Sequence, residues 1–106
     1  VYTTTHDTET LVGWWKTASA HEKHLAGTYL ACNDSNVHWA AIRACMQSVS
    51  RLAVFPLQDV LGLGSEHRMN SPGSLGAHNW SWRITPTMLK PDDARVLRLL
   101  AEATGR

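Results

Sequence analysis

A histidine and an aspartate stand side by side near the start of the chain, His6-Asp7, and their types alone suit them to acid–base or charge-stabilising chemistry. The five residues before them, Val1-Tyr2-Thr3-Thr4-Thr5, are β-branched or aromatic, which is strand composition. Leu11, Trp14 and Trp15 follow at helical spacing. The pair therefore falls where a strand gives way to a helix. In α/β folds, ligands bind in the crevice at the carboxyl ends of strands. A carboxylate there can hold a ligand hydroxyl or steady developing positive charge. It can equally cap the next helix by accepting backbone N–H bonds.

Four other groups of residues carry chemistry-bearing types. His21 and His24 are three apart, where the zinc-protease pattern needs four, and they fall on the polar side of a helix, so they read as a solvated face. Gly62-Leu63-Gly64-Ser65 lacks the third glycine of a dinucleotide loop and the Gly-Lys-Ser/Thr of a P-loop. It reads as a turn. Asp59 and Glu66 have the types of a glycosidase carboxylate pair, but nothing in the sequence sets their separation, and a capping or charged-loop role suits them as well. Trp80 and Trp82, at i and i+2 in an extended stretch, would share one face, either as a stacking platform or as core.

The elements that must position these residues follow from periodicity and punctuation. Val1–Thr5 is the first predicted strand, and a short helix follows over about 9–16. Ser19 and Glu22 have capping-box spacing and open a second helix, with Leu25, Ala26, Tyr29 and Leu30 as its apolar stripe. A third helix spans about 36–50, with a narrow polar stripe of Arg43, Gln47 and Ser50 and most of the rest apolar, and so is expected to be largely buried. Leu52-Ala53-Val54-Phe55 is a continuous apolar run closed by Pro56, as in strands buried on both faces of a parallel sheet. Gln58 to Leu61 fits one helical turn. Gly62 to Gly76 is a long loop of the kind that is usually functional. Pro91, Asp92-Asp93 and Gly105 frame a last helix.

Composition narrows the function classes. A net charge of +1 does not fit an electrostatic nucleic-acid binder, so no nucleic-acid partner is expected. Cys32 and Cys45, separated by twelve residues, make no metal-type pair, and a reducing, cytoplasmic compartment is the simpler reading. No run of the sequence is long and apolar enough for a membrane span, no leader is read at its start, and no membrane partner is expected. The chain opens inside strand-like sequence without an initiator methionine, and so reads as one piece of a longer protein.

Three blocks of sequence carry a family resemblance. The first is Tyr2-Thr3 with Thr5-His6-Asp7 and Trp14-Trp15. The second is Pro56-Leu57-Gln58-Asp59-Val60-Leu61-Gly62-Leu63-Gly64-Ser65-Glu66, continued by Arg68-Met69-Asn70 and Pro72-Gly73. The third is Asn79-Trp80-Ser81-Trp82-Arg83. In order and content they resemble the 4-α-glucanotransferases, also called amylomaltases or disproportionating enzymes. Thr4 departs from the usual glycine, and Thr8-Glu9 from the frequent Asn-Asp.

The resemblance implies an α/β chain, residues 1–106 being the C-terminal part of a single TIM-type (β/α)₈ catalytic barrel: strands seven and eight with their helices. A whole barrel needs about 250 residues, so the N-terminal part of the same barrel is an expected partner. It implies a retaining transfer between α-1,4-glucans or maltooligosaccharides, without cofactor or metal. Asp7 would be the carboxylate that stabilises the transition state through the sugar hydroxyls, and His6 would donate a hydrogen bond to the same sugar. Asn70 would line the donor site. Gln58 and Asp59 follow strand eight and are further substrate-binding candidates. The nucleophile and the acid/base would lie outside these residues, leaving the isolated chain inactive. A hydrolase of the α-amylase clan and a non-catalytic carbohydrate-binding module are the competing readings.

Overall fold

Five helices and two single 3₁₀ turns make up the computed structural model, which describes residues 1–106. Helix α1 (Leu11–Thr17) begins at Thr10, whose hydroxyl oxygen accepts from the Gly13 N–H. Thr10, not Asp7, therefore supplies the side-chain cap, and the capping alternative for Asp7 falls. Of the adjacent tryptophans, Trp15 turns into the core and donates its indole N–H to Asp34 Oδ1 at 2.7 Å.

Helix α2 (Ala20–Leu30) opens on the expected capping box. The Ser19 hydroxyl oxygen accepts from the Glu22 N–H, and Glu22 Oε2 accepts from the Ser19 N–H at 2.8 Å. These bonds to Ser19, the backbone one foremost, hold the Glu22 carboxyl below its ordinary range. The expected apolar stripe is only partly right. Leu25 and Tyr29 are exposed, and the half-buried face is Lys23, Ala26, Gly27 and Leu30. Small residues let this face come close, and the Lys23 ammonium lies 5.7 Å from the Trp15 ring centre, so a lysine can occupy the inner side.

Helix α3 (Val37–Met46) is the hub: α1, α2, α4 (Leu57–Val60) and α5 (Pro91–Thr104) all pack on it. Val37, Ala40, Ile42 and Met46 are buried, while Arg43 and Gln47 stay exposed, as the polar stripe requires. The core cluster is Ile42, Met46 and Val60, covered by Trp39, Phe55, Leu97 and Leu100. The helix stops four residues short of Ser50. The carbonyls of Met46, Ser48 and Ser50 instead receive the guanidinium of Arg106. Helix α5 carries Pro91 at its first position and ends at Gly105, where φ is +70°. Gly62, at φ +63°, follows α4; a Cβ there would stand 3.1 Å from the His38 ring.

The two predicted strands do not form. Residues 1–5 and 52–55 run side by side in parallel, but a single bridge, Tyr2 to Val54, joins them. The Val54 N–H donates to Val1 O at 2.9 Å. Two lone parallel stretches lack the flanking neighbours that a ladder needs. Tyr2, Leu52 and Val54 are accordingly exposed, although the apolar run is that of a strand covered on both faces.

Candidate functional site

The extended stretch is held from below by a buried carboxylate. Asp59, at the centre of α4, is 1% exposed. Its Oδ2 accepts from the hydroxyls of Thr3 and Thr4, and its Oδ1 accepts from the Leu11 N–H at 2.9 Å. One side chain thus ties together the stretch before His6, the start of α1 and the turn of α4. The capping role open to Asp59 is the one it takes, and no oxygen is left facing a ligand. Glu66 is exposed and lies 3.5 Å from His67 Nε2, so the two carboxylates have separate tasks.

On this base stands a tight turn. The Thr5 N–H donates to Thr8 Oγ1 at 2.9 Å, and the Thr8 N–H returns to Thr5 O at 3.3 Å. The turn lifts His6 and Asp7 out of the body, so that their side chains are 56% and 50% exposed. His6 Nε2 lies 3.2 Å from Asp7 Oδ2. With its proton on Nε2 the imidazole donates to the carboxylate, which leaves Nδ1 for a ligand. Asp7 Oδ1 accepts from Asn70 Nδ2 at 2.7 Å, and the Asn70 N–H donates to His6 O at 3.1 Å. Asn70 therefore grips the pair through main chain and side chain together. The carboxylate is aimed by two neighbours and still open on one side.

Arg68 adds a grip that the sequence did not flag. Its Nη2 donates to Asp7 O at 3.2 Å and its Nη1 to Glu9 Oε2 at 3.3 Å, while Nε is buried without a protein partner. Glu9 Oε1 in turn accepts from the Thr10 N–H. The arginine thus joins the long loop to both sides of the His6-Asp7 turn. Only its alternation with Asn70, two positions on, could have hinted at this, because its partners lie about sixty residues away.

His6, Arg68 and Gln58 share the wall of a cleft of about 250 Å³ with Thr5 and Met69. Gln58 is buried and donates through Nε2 to His67 O at 3.3 Å, so it shapes the cleft wall. The largest concavity, about 820 Å³, lies elsewhere, around Arg51 and Arg106, and its walls hold no carboxylate, imidazole or thiol.

The two tryptophans of the third block part company. Trp80 adopts φ +62°, which breaks the extended run and its shared face. Its indole stays 56% exposed and packs on the His6 imidazole, ring centres 5.1 Å apart. Trp82 turns inward and donates Nε1–H to His67 Nδ1 at 2.9 Å. His21 and His24 are exposed on α2.

A family model described as 4-alpha-glucanotransferase matches residues 1–89. A 4-alpha-glucanotransferase of Thermus thermophilus is 49% identical over 112 residues, covering 100% of this chain and 22% of its own length. The chloroplastic/amyloplastic 4-alpha-glucanotransferase of Solanum tuberosum is 41% identical over 111 residues, covering 100% of this chain and 19% of its own. In three dimensions the chain is similar to an amylomaltase from Streptococcus agalactiae solved in complex with acarbose. The TM-score is 0.92 at 26% identity, over 99% of this chain and 21% of that one. The chain spans about a fifth of the length of the relatives it matches.

Proposed function

This chain belongs to the 4-alpha-glucanotransferase family, and from that premise we propose that it supplies the sugar-gripping carboxylate of a glucan-transferring barrel. The extended stretches at 1–5 and 52–55 are the places of barrel strands seven and eight, awaiting their neighbours. The substrates are α-1,4-glucans and maltooligosaccharides, and the compartment is the cytoplasm.

The reaction is a retaining double displacement. A carboxylate on strand four attacks the anomeric carbon while an acid on strand five protonates the departing sugar. The 4-hydroxyl of an acceptor glucan then gives its proton to the strand-five carboxylate and displaces the enzyme carboxylate, with the stereochemistry restored. Neither of those groups lies in this chain. Asp7 accepts from the sugar hydroxyls beside the reacting carbon, whose acidity rises as positive charge develops on the ring, so its bonds are strongest in the transition state. His6 turns Nδ1 to the same sugar, donating to it when the ring carries both protons and accepting from a sugar hydroxyl when it carries only the Nε2 proton.

One observation carries the reading. Asp7 is held by Asn70 at 2.7 Å and faced by His6 at 3.2 Å, yet is half open to solvent. Asp59, the other carboxylate tied to this stretch, spends both oxygens on protein donors and is enclosed, 1% exposed. The test is product analysis with maltotriose, using the barrel protein that carries this segment. A ladder of longer glucans is expected. Glucose and maltose alone would make the protein a hydrolase, and binding without turnover would make it a carbohydrate-binding module. The 106 residues alone should do neither reaction, and glucose release by that purified chain would overturn the division of labour.

A further inference from the structure

Trp80 combines two features that stability does not explain. Its backbone sits at φ +62°, a region that bulky residues avoid because Cβ crowds the carbonyl. Its side chain is 56% exposed within this chain, so the packing of these residues returns little for that strain. The conformation is imposed from several sides. The Trp80 N–H donates to Met69 O at 2.7 Å, and Arg83 Nη1 donates to Trp80 O at 3.1 Å. Asn79, just before it, accepts from the Ser71 N–H at 2.9 Å and donates to Ser74 O at 3.0 Å. The indole so placed lies against one residue of the site, His6, with ring centres 5.1 Å apart and planes inclined by 39°.

We propose that Trp80 is a positioning residue of the His6-Asp7 centre, its strained backbone holding the indole as a wall that keeps the imidazole turned onto Asp7. The inference rests on the function proposed above and adds a part to it. His6 is otherwise free to turn about two side-chain bonds, because it is 56% exposed and its one polar neighbour is Asp7 Oδ2. The indole blocks that rotation without competing for either ring nitrogen. The ordering of the loop at 70–80 thereby becomes a condition for a correctly aimed imidazole, since Met69 and Asn70 join Trp80 to His6 through the main chain.

The test uses the barrel enzyme that carries this segment. Trp80→Gly removes both the indole and the strain. Its melting temperature should stay level or rise, while kcat on maltotriose falls by about tenfold or more with KM changed by less than about threefold. Trp80→Phe keeps a flat ring and should recover most of kcat. Turnover of Trp80→Gly within about threefold of wild type would overturn the proposal. So would a loss of kcat matched by a lower melting temperature and not recovered by phenylalanine, which marks a structural role. A raised KM at unchanged kcat would also overturn it, making the indole a sugar-binding face. Asp7→Asn is run beside these variants. If it alone fails to turn over, the site reading stands and the tryptophan inference falls; if it turns over normally, both fall.

Discussion

Replacing Asp59 by alanine tests how the site is held in place. Three donors converge on its carboxylate: the hydroxyls of Thr3 and Thr4 and the backbone N–H of Leu11. Removing a buried carboxylate has two opposing effects. It relieves the desolvation of an ion that no lysine or arginine pairs, and it strands the donors. The Leu11 N–H is fixed by α1 and cannot turn away, so its loss costs about 1–3 kcal/mol. The threonine hydroxyls are half-buried and can rotate toward water, which limits each to about 0.5 kcal/mol. The stranded donors come to about 2–4 kcal/mol and the relieved desolvation takes part of that back, so the net loss should be about 1–3 kcal/mol. That is a large part of the total stability usual for a small domain, about 5–15 kcal/mol. Urea unfolding followed by tryptophan fluorescence and circular dichroism measures it. Asp59→Asn keeps one oxygen for Leu11 and should lose about half as much. Thr3→Val should then add almost nothing in the Asp59→Ala background, because its partner is already gone. An Asp59→Ala loss below about 1 kcal/mol would refute the reasoning, since even the fixed N–H would then have found another partner.

Asp7→Asn in the full barrel should cut kcat by roughly a hundredfold, about 3 kcal/mol of barrier, with little change in KM; turnover within about threefold of wild type removes Asp7 from the catalytic set. Gly62→Ala forces a side chain into φ +63° and against the His38 ring, and should destabilise by about 1–2 kcal/mol in the same urea assay. His38 supplies a pH dependence. Burial lowers its pKa below the ordinary 6.5, more than Asp93 and Asp59 raise it. As pH falls through that value the unfolded chain takes up the proton first, so stability is full above about 6.5 and is lost below it. Melting temperatures from pH 8 to 5.5 should fall for the native chain and fall less for His38→Gln; parallel curves would exclude His38 as the source.

What could be read from the sequence was what depends on near neighbours. Ser19 and Glu22 are three residues apart and announced their capping box; Pro91 and Gly105 framed α5 by their own backbone preferences. The apolar content of α3 told of its burial, and the order of the three blocks told of the family. The expected strands needed partners beside them, and composition cannot report whether a neighbour is there. Leu25 and Tyr29 were assigned inward because apolar residues usually are, but Lys23 found an aromatic ring and took the inner side. His6, Asp7 and Asn70 were named from a family motif, whereas the geometry joining them crosses more than sixty residues. The grip of Arg68 went unread for the same reason, and Trp80, read as sharing a face with Trp82, was not placed against His6.

That separation has a kinetic consequence. The bonds that shape the site join residues 56, 48 and 63 positions apart: Thr3 to Asp59, Leu11 to Asp59, and Asn70 to Asp7. Helices α2 and α3 close their own turns within microseconds, whereas the site waits for a loop of some fifty residues to find its ends. The acidic knot at Asp59 is therefore a late event in folding and an early one to open under denaturant. A partly unfolded chain would keep its helical signal after His6 and Asp7 have lost their alignment. Function would then vanish ahead of secondary structure, and hydrogen exchange should find Leu11 opening before the middle of α3.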